Sequence, residues 1–170
     1  MSTLSIDVRR ARIDDAAGIA AVHDAAWRYA YRGILLGIDL ERMVERRGPL
    51  WWEKAIRRHV VVLVLEVDGR VVGYATLGPT RMRTLPYKGE IYEIYVLPEY
   101  QGLGLGSRLF QSARRMLGDL HFAGLAVRAL RDNDNAVGFY RRLGGRVVVE
   151  TGERIGDTVL PVTVFGWDAD

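Results

Sequence analysis

One short stretch of the chain constrains its fold more than any other. Residues 91–96 read IYEIYV, a run of β-branched and aromatic residues that is typical of a strand. Pro98 ends that strand, and residues 101–106 follow as QGLGLG. From Leu105 onward apolar residues recur at every fourth position, which predicts an amphipathic helix. The stretch is therefore predicted to run from a strand through a glycine-rich loop into a helix.

A glycine-rich loop at the start of a helix favours the binding of an anion. The first N–H groups of a helix have no partner within it, and the helix dipole makes this end positive. Glycines lack the Cβ atoms that would keep a ligand away from these N–H groups. We therefore expect a phosphate or pyrophosphate at residues 101–106, although such loops also serve as plain turns.

Two common phosphate-binding motifs do not match this loop. A P-loop ends in Gly-Lys-Ser/Thr, whereas here Gly106 is followed by Ser107 and Arg108. A dinucleotide-binding fingerprint needs a third glycine and an acidic residue at the end of the next strand. Ser107 stands where that third glycine would be, and Asp119 precedes the next strand. The loop therefore belongs to neither class.

A second motif, NDNAVGFYRRLG at residues 133–144, lies downstream of the loop. The first stretch resembles the acetyl-CoA-binding motif of the GNAT family of N-acetyltransferases, a strand and Pro followed by Gln/Arg-x-x-Gly-x-Gly/Ala. The second resembles the family's Asn-x-x-Ala-x-x-Phe-Tyr-x-x-x-Gly. The two motifs stand in the family's order, about a strand and a helix apart. The chain is therefore identified as a member of this family.

Hydrophobic periodicity and turn residues predict the other elements. Strands are expected at residues 5–10, 60–67, 70–77, 91–96, 124–130, 146–154 and 158–167, and helices at 14–31, 39–47, 50–58, from Leu105, and around Tyr140. Asp14 is the expected N-cap of the first helix. Pro161 predicts that the last strand lies at a sheet edge or contains a bulge.

This order of elements matches the GNAT order, so the resemblance covers nearly the whole chain. It implies an α/β (α+β) fold with a mixed, mostly antiparallel central sheet of about seven strands flanked by helices. At 170 residues, the chain is expected to form one domain over residues 1–170.

The resemblance also implies a reaction. The acetyl group of acetyl-CoA would pass directly to a primary amine through a tetrahedral intermediate, since the chain has no cysteine for a covalent route. The implied cofactor-binding residues are Tyr95, Val96, Gln101, Gly102, Leu103, Gly104, Leu105, Gly106, Ser107, Asn133 and Tyr140. Among these, the Val96 N–H would stabilise the thioester oxygen. Tyr140 would be the catalytic acid that protonates the departing CoA thiolate.

Glu93 is the candidate for the base that deprotonates the amine. In an unbroken strand it shares a face with Ile91 and Tyr95, and a carboxylate in such an apolar strand needs solvent, a partner or a substrate. A solvated glutamate remains the alternative, and a bulge could change the alternation. By resemblance, Trp27 and Tyr31 on the first helix form an aromatic wall of the acceptor site, which also includes Glu93. The alternative for these two aromatic residues is a half-buried packing role.

Composition excludes several other classes. A net charge of +3 suits an anionic ligand but is too small to indicate nucleic-acid binding. Without cysteine there is no disulfide or thiolate metal site, and we expect no metal cofactor. The longest apolar run, residues 60–65, is too short to span a membrane, and residues 1–10 lack the apolar core of a signal peptide. We therefore expect a cytoplasmic protein, and an edge strand near the C-terminus could support a homodimer.

Two further hypotheses compete with a small-molecule or peptide N-acetyltransferase. One is a non-catalytic acyl-CoA-binding sensor or scaffold, and the other is the transfer of a longer acyl group or transfer to a hydroxyl. Tyr140 beside an intact glycine-rich loop favours the enzyme. Residues 20–58 do not identify the acceptor.

Overall fold

The computed structural model describes residues 3–169 of the chain. Seven strands and five helices alternate in the order that the sequence predicts. Along the chain they are β1 (Ile6–Arg10), α1 (Ala16–Tyr31), α2 (Gly37–Arg46), α3 (Pro49–Arg57), β2 (Val61–Val67), β3 (Arg70–Pro79), β4 (Gly89–Val96), α4 (Leu105–Asp119), β5 (Leu125–Leu130), α5 (Asp134–Arg142), β6 (Arg146–Ile155) and β7 (Thr158–Trp167). No helix within residues 3–169 is long and apolar enough to cross a lipid bilayer.

The strands form one sheet in the order β1-β2-β3-β4-β5-β7-β6. Only β4 and β5 run parallel, and every other neighbouring pair is antiparallel. Helices α1, α2 and α3 cover one face, where His23 and Trp52 contact Tyr74 of β3. Helices α4 and α5 cover the other face, where Phe110 packs against Trp167. This arrangement confirms the predicted mostly antiparallel sheet flanked by helices.

A bulge in β4 decides which of its side chains face helices α1, α2 and α3. Thr76 of β3 pairs with Glu93, but the next residue, Leu77, pairs with Ile91, so Tyr92 is the extra residue. Glu93 therefore faces the α1 side of the sheet and Ile91 faces the α4 side. The sequence predicted that Glu93 shares a face with Ile91 and Tyr95. This prediction was correct for Tyr95 and wrong for Ile91, because the bulge shifts the alternation by one residue.

The parallel pair β4–β5 is short. Gly89–Ile91 pair with Leu125–Val127, and no pairing continues beyond Ile91. The second half of β4 is thus bonded to β3 on one side and is open on the other. This opening lies in the middle of the sheet and leads from the glycine-rich loop toward α1.

Two local predictions were wrong. Helix α1 begins after a short 3₁₀ turn, and Asp15 rather than Asp14 accepts the backbone N–H of Arg12, at 2.6 Å, and two bonds from Arg9. The last strand is an interior strand between β5 and β6, without a bulge at Pro161. The proline is tolerated there because β5 ends at Leu130, so its missing N–H removes no bond to that strand.

Candidate active site

The end of β4 presents backbone groups to the opening in the sheet. The N–H of Leu97 donates to the carbonyl of Val72 in β3, at 2.8 Å. Successive N–H groups of a strand point to opposite sides, so the Val96 N–H points into the opening. The Val96 carbonyl accepts a hydrogen bond from Nε2 of Gln101, at 3.1 Å. Gln101 therefore ties the glycine-rich loop to the end of the strand.

The glycine-rich loop is shaped to receive a ligand close to its backbone. Gly102 and Gly104 both have φ of +78°, and a Cβ on either would have no heavy atom within 4 Å. Gly104 is the N-cap of α4 and has no side chain that could accept a hydrogen bond. The first backbone hydrogen bond of the helix runs from the N–H of Arg108 to the carbonyl of Gly104. The N–H groups of residues 105–107 are thus left for another acceptor. These residues fit the pyrophosphate of a nucleotide cofactor.

Three other residues in or next to the loop have different surroundings. Gly106 allows α4 to approach α5, since a Cβ there would lie 3.3 Å from the Phe139 ring. The Leu103 side chain is exposed. The Arg108 guanidinium donates to the Ile6 carbonyl of β1 at 3.2 Å.

Tyr140 lies on the α4 side of the opening. Its ring is buried and packs against Phe165 and Trp167. Within residues 3–169 its hydroxyl has no hydrogen-bond partner, and burial raises the pKa of this hydroxyl well above its usual range, with a smaller effect from Tyr31. The phenol therefore stays protonated and can donate a hydrogen bond. Asn133 caps α5 by accepting the N–H of Ala136 at 3.3 Å.

A cavity of about 380 Å³ lies on the α1 side of the opening. Trp27 and Tyr31 form one wall, and the Tyr31 and Tyr95 hydroxyls share a hydrogen bond of 2.5 Å. Burial raises the pKa of the Tyr31 hydroxyl to about 12. Trp51, at the mouth, is partly exposed, whereas Trp52 is fully buried in the core. The predicted acceptor-site residues Trp27, Tyr31 and Glu93 thus line one cleft.

Glu93 does not stand free in this cleft. Its carboxylate forms an ion pair with Arg47, which follows α2, and accepts a hydrogen bond from Oγ1 of Thr76 at 3.2 Å. Burial raises the pKa of Glu93, and Arg47 and Thr76 oppose this shift. The Arg47 guanidinium also stacks 4.6 Å from the centre of the Trp51 ring. A cation thus already occupies the space between Glu93 and the aromatic wall.

Sequence reasoning missed one threonine and four charged residues of the cleft, which are Thr76, Arg47, Arg81, Arg128 and Glu153. None belongs to a motif, and they come from four different elements or their ends. His23, in contrast, is a hydrogen-bonded core residue, with Nδ1 3.0 Å from the Tyr74 hydroxyl. In the described part of the chain, no group of three or more His, Asp or Glu side chains is arranged to hold a metal ion.

Comparison with known proteins decides the family. Residues 19–145 match the family model described as acetyltransferase (GNAT) family. The chain belongs to the GNAT family. It is accordingly an acetyl-CoA-dependent acyltransferase, and acetyl-CoA is its co-substrate.

GNAT relatives cover different shares of the chain. The chain is 30% identical to the uncharacterized N-acetyltransferase YuaI of Bacillus subtilis, over 95% of this chain and 92% of YuaI. It is 42% identical to the N-alpha-acetyltransferase RimI of Mycobacterium tuberculosis, over 66% of this chain and 75% of RimI. Mycothiol acetyltransferase of Pseudarthrobacter chlorophenolicus is 34% identical over 73% of this chain, which spans 37% of that protein.

A solved GNAT structure shares the fold at low sequence identity. PaiA N-acetyltransferase of Thermoplasma acidophilum, in complex with coenzyme A, superimposes with a TM-score of 0.78 at 20% identity. The superposition covers 96% of this chain and 99% of PaiA. It supports the sheet order and the helix placement described above.

Proposed function

We propose that this GNAT protein transfers the acetyl group of acetyl-CoA directly to the primary amine of an acceptor bound in the cleft beside Trp27. One observation carries the proposal. The parallel strands β4 and β5 separate after Ile91, and the resulting opening joins the glycine-rich loop on one side to the aromatic cleft on the other. A cofactor and an acceptor that enter from opposite sides would meet at the Val96 N–H.

The cofactor supplies an acetyl group already activated as a thioester. The open N–H groups at the start of α4 bind the pyrophosphate, and the free edge of β4 at Tyr95 and Val96 pairs with the extended arm of the cofactor. The Val96 N–H points at the place where negative charge develops on the carbonyl oxygen. Asn133, which caps α5 beside the opening, contacts the same arm.

The acceptor amine must lose a proton before it can attack. Only about one alkylamine in a thousand is neutral at pH 7. Glu93 is the proposed base, and its burial supports this role because a raised pKa strengthens a carboxylate as a base. The incoming amine would displace Arg47 from the carboxylate and occupy its position against the aromatic wall.

The departing thiolate must gain a proton or a hydrogen bond. Tyr140 is the proposed donor, since its hydroxyl is protonated and has no partner within residues 3–169. Tyr140 lies on α5, on the side of the sheet from which the cofactor would enter. The Tyr140 hydroxyl can therefore reach the reacting centre from the α5 side.

The experiment is release of free CoA thiol from acetyl-CoA in the presence of polyamines, amino acids, aminoglycosides, arylamines and short peptides. Release that depends on one class of amine, with the acetylated amine found by mass spectrometry, is the expected result. Binding of acetyl-CoA with no release from any amine would contradict the proposal and favour a non-catalytic acyl-CoA sensor.

A further inference from the structure

Three arginines line the acceptor cleft, and two of them already have carboxylate partners. Arg47 is paired with Glu93. Arg81 donates to the fully buried Glu90 at 2.6 Å and stacks on the Tyr92 ring. Each of these two charges is therefore neutralised by a residue of the chain itself. The third arginine, Arg128, differs from them.

Arg128 is a half-buried cation that forms no ion pair or hydrogen bond with any residue from 3 to 169. It lies on β5 just beyond Val127, where β4 and β5 separate. It shares a face with Ala126 and Leu130, whose side chains are buried under α1 and α2, so its own side chain enters the acceptor cleft. A half-buried guanidinium without a carboxylate partner is available to pair with an anionic group of a ligand.

Glu153 is the other charged residue of the cleft that forms no ion pair among residues 3–169, and it is too far from Arg128 to be its partner. Arg128 of β5 pairs with Val164 of β7, and Val164 pairs with Val149 of β6. Glu153 is four residues further along β6. Strand spacing and rise place the two Cα atoms roughly 16 Å apart. Glu153 lies toward the tip of the β6–β7 hairpin, two residues before Ile155, which also lines the cleft. The cleft therefore has one unpaired anion and, well separated from it, one unpaired cation.

We propose that the acceptor is a small amine that also carries an oxyanion, a carboxylate or a phosphate, and that Arg128 binds this oxyanion. The planar guanidinium is suited to bidentate bonds with either group. The amine of such a molecule would point toward Glu93 and Tyr31. This inference rests on the proposed acetyl transfer and names the class of its acceptor.

The size and closure of the cleft agree with a small acceptor. A volume of about 380 Å³ lies at the low end of small-molecule sites. The tip of the β6–β7 hairpin reaches α2, since a Cβ on Gly156 would lie 2.6 Å from Oδ1 of Asp39. This approach brings the hairpin tip, next to Ile155 of the cleft lining, against α2.

The test compares acceptors that differ only in the anion. γ-Aminobutyrate and ε-aminocaproate are each assayed beside their carboxamides, and phosphoethanolamine beside its dimethyl triester, which carries no oxyanion. The proteins are the wild type, Arg128→Met, Arg128→Lys and Arg131→Met, a matched control because Arg131 is an exposed residue just after β5. For each protein kcat and KM are measured by thiol release, and the affinity for acetyl-CoA is measured separately.

The expected result is a wild-type kcat/KM at least about tenfold higher for the anionic acceptors than for their neutral partners. Arg128→Met removes this preference, mainly through a higher KM for the anionic acceptors, while acetyl-CoA affinity and melting temperature stay close to wild type. Arg128→Lys recovers part of the preference, and Arg131→Met behaves as wild type. The carboxylate and phosphate pairs show which oxyanion is preferred.

The test distinguishes a wrong acceptor class from the absence of acetyl transfer. Equal use of anionic and neutral acceptors by the wild type, or an equal loss for both in Arg128→Met, would overturn the acceptor class while acetyl transfer itself stands. Absence of amine-dependent release for every acceptor, with acetyl-CoA still bound, would overturn acetyl transfer and with it the basis for this inference.

Discussion

Glu93 is a buried carboxylate whose chemistry depends on a residue far away in the sequence. Its position in β4 makes it a candidate base, but Arg47 and Thr76 set how readily it takes a proton. Arg47 in turn is held by stacking on Trp51. The proposed base and the residues that tune its pKa therefore come from β4, β3 and the segment between α2 and α3.

Replacing Arg47 should make Glu93 harder to ionise. Arg47 lowers the pKa of Glu93, so in Arg47→Met that pKa rises further. A base works only when it is ionised, and the acidic limb of the pH profile of kcat/KM should therefore move to higher pH. Arg46→Met is the matched control, since Arg46 is an exposed neighbour. An unchanged acidic limb in Arg47→Met would argue that Glu93 is not the base.

Tyr140→Phe tests the proposed acid with little disturbance of packing. The ring contacts with Phe165 and Trp167 remain, and no hydrogen bond among residues 3–169 is lost. We expect kcat to fall roughly 10²-fold, with acetyl-CoA affinity and melting temperature close to wild type. Tyr29→Phe, on the exposed side of α1, should leave kcat unchanged. Wild-type turnover in Tyr140→Phe would exclude Tyr140 as the acid.

Among the elements, the glycine-rich loop and α4 depend most directly on local sequence. The strand, loop and helix appear where residues 91–117 predict them, because proline and glycine act through the backbone and need no distant partner. The β4 bulge and the interior position of β7 could not be predicted in this way. Both depend on how neighbouring strands pair, which a single sequence does not specify.

A side chain at Gly104 should remove cofactor binding. Its φ of +78° strains any L residue by roughly 1–2 kcal/mol, and the added atoms would enter the space in front of the helix N–H groups. We expect Gly104→Val to weaken acetyl-CoA binding by at least about tenfold, measured by calorimetry. Gly69→Val is the matched control, since Gly69 has φ of +80° in equally open space at the β2–β3 turn. If both variants bind acetyl-CoA equally, the loop is only a turn.

At the scale of the whole molecule, folding buries a histidine that is neutral. His23 is fully buried between α1 and the sheet, and burial lowers its pKa from 6.5 to about 4. Because the folded-state pKa is lower, the unfolded chain binds the additional proton between these two values. The stability that depends on neutral His23 is complete above pH 6.5 and is lost as the pH falls toward 4.

This difference in pKa corresponds to about 3 kcal/mol of the free energy of unfolding at most. Urea titrations from pH 7 to pH 4 should therefore show a fall in stability that is shallower in His23→Gln by up to that amount. His59→Gln, which changes an exposed histidine, should keep the wild-type slope. Parallel slopes in wild type and His23→Gln would mean that His23 is not a source of acid sensitivity.

Several expectations about the whole molecule stay predictions. Strand β6 is an edge of the sheet and is largely exposed, with Val147 and Val149 both 39% exposed, so a homodimer through this edge can be tested by light scattering. The cytoplasmic location and the single domain over residues 1–170 also stay predictions.

The sequence by itself determined the order of elements, the cofactor loop and the family, because these depend on local periodicity, on proline and glycine, and on two short motifs. It also placed Trp27, Tyr31 and Glu93 in one predicted site, and these three residues line one cleft. Only the tertiary structure decided that Arg47 neutralises Glu93 and that Arg128 stands unpaired in the same cleft. The physical reason is that a charge is defined by the neighbours it meets in space, and these neighbours come from strands and helices that lie far apart along the chain.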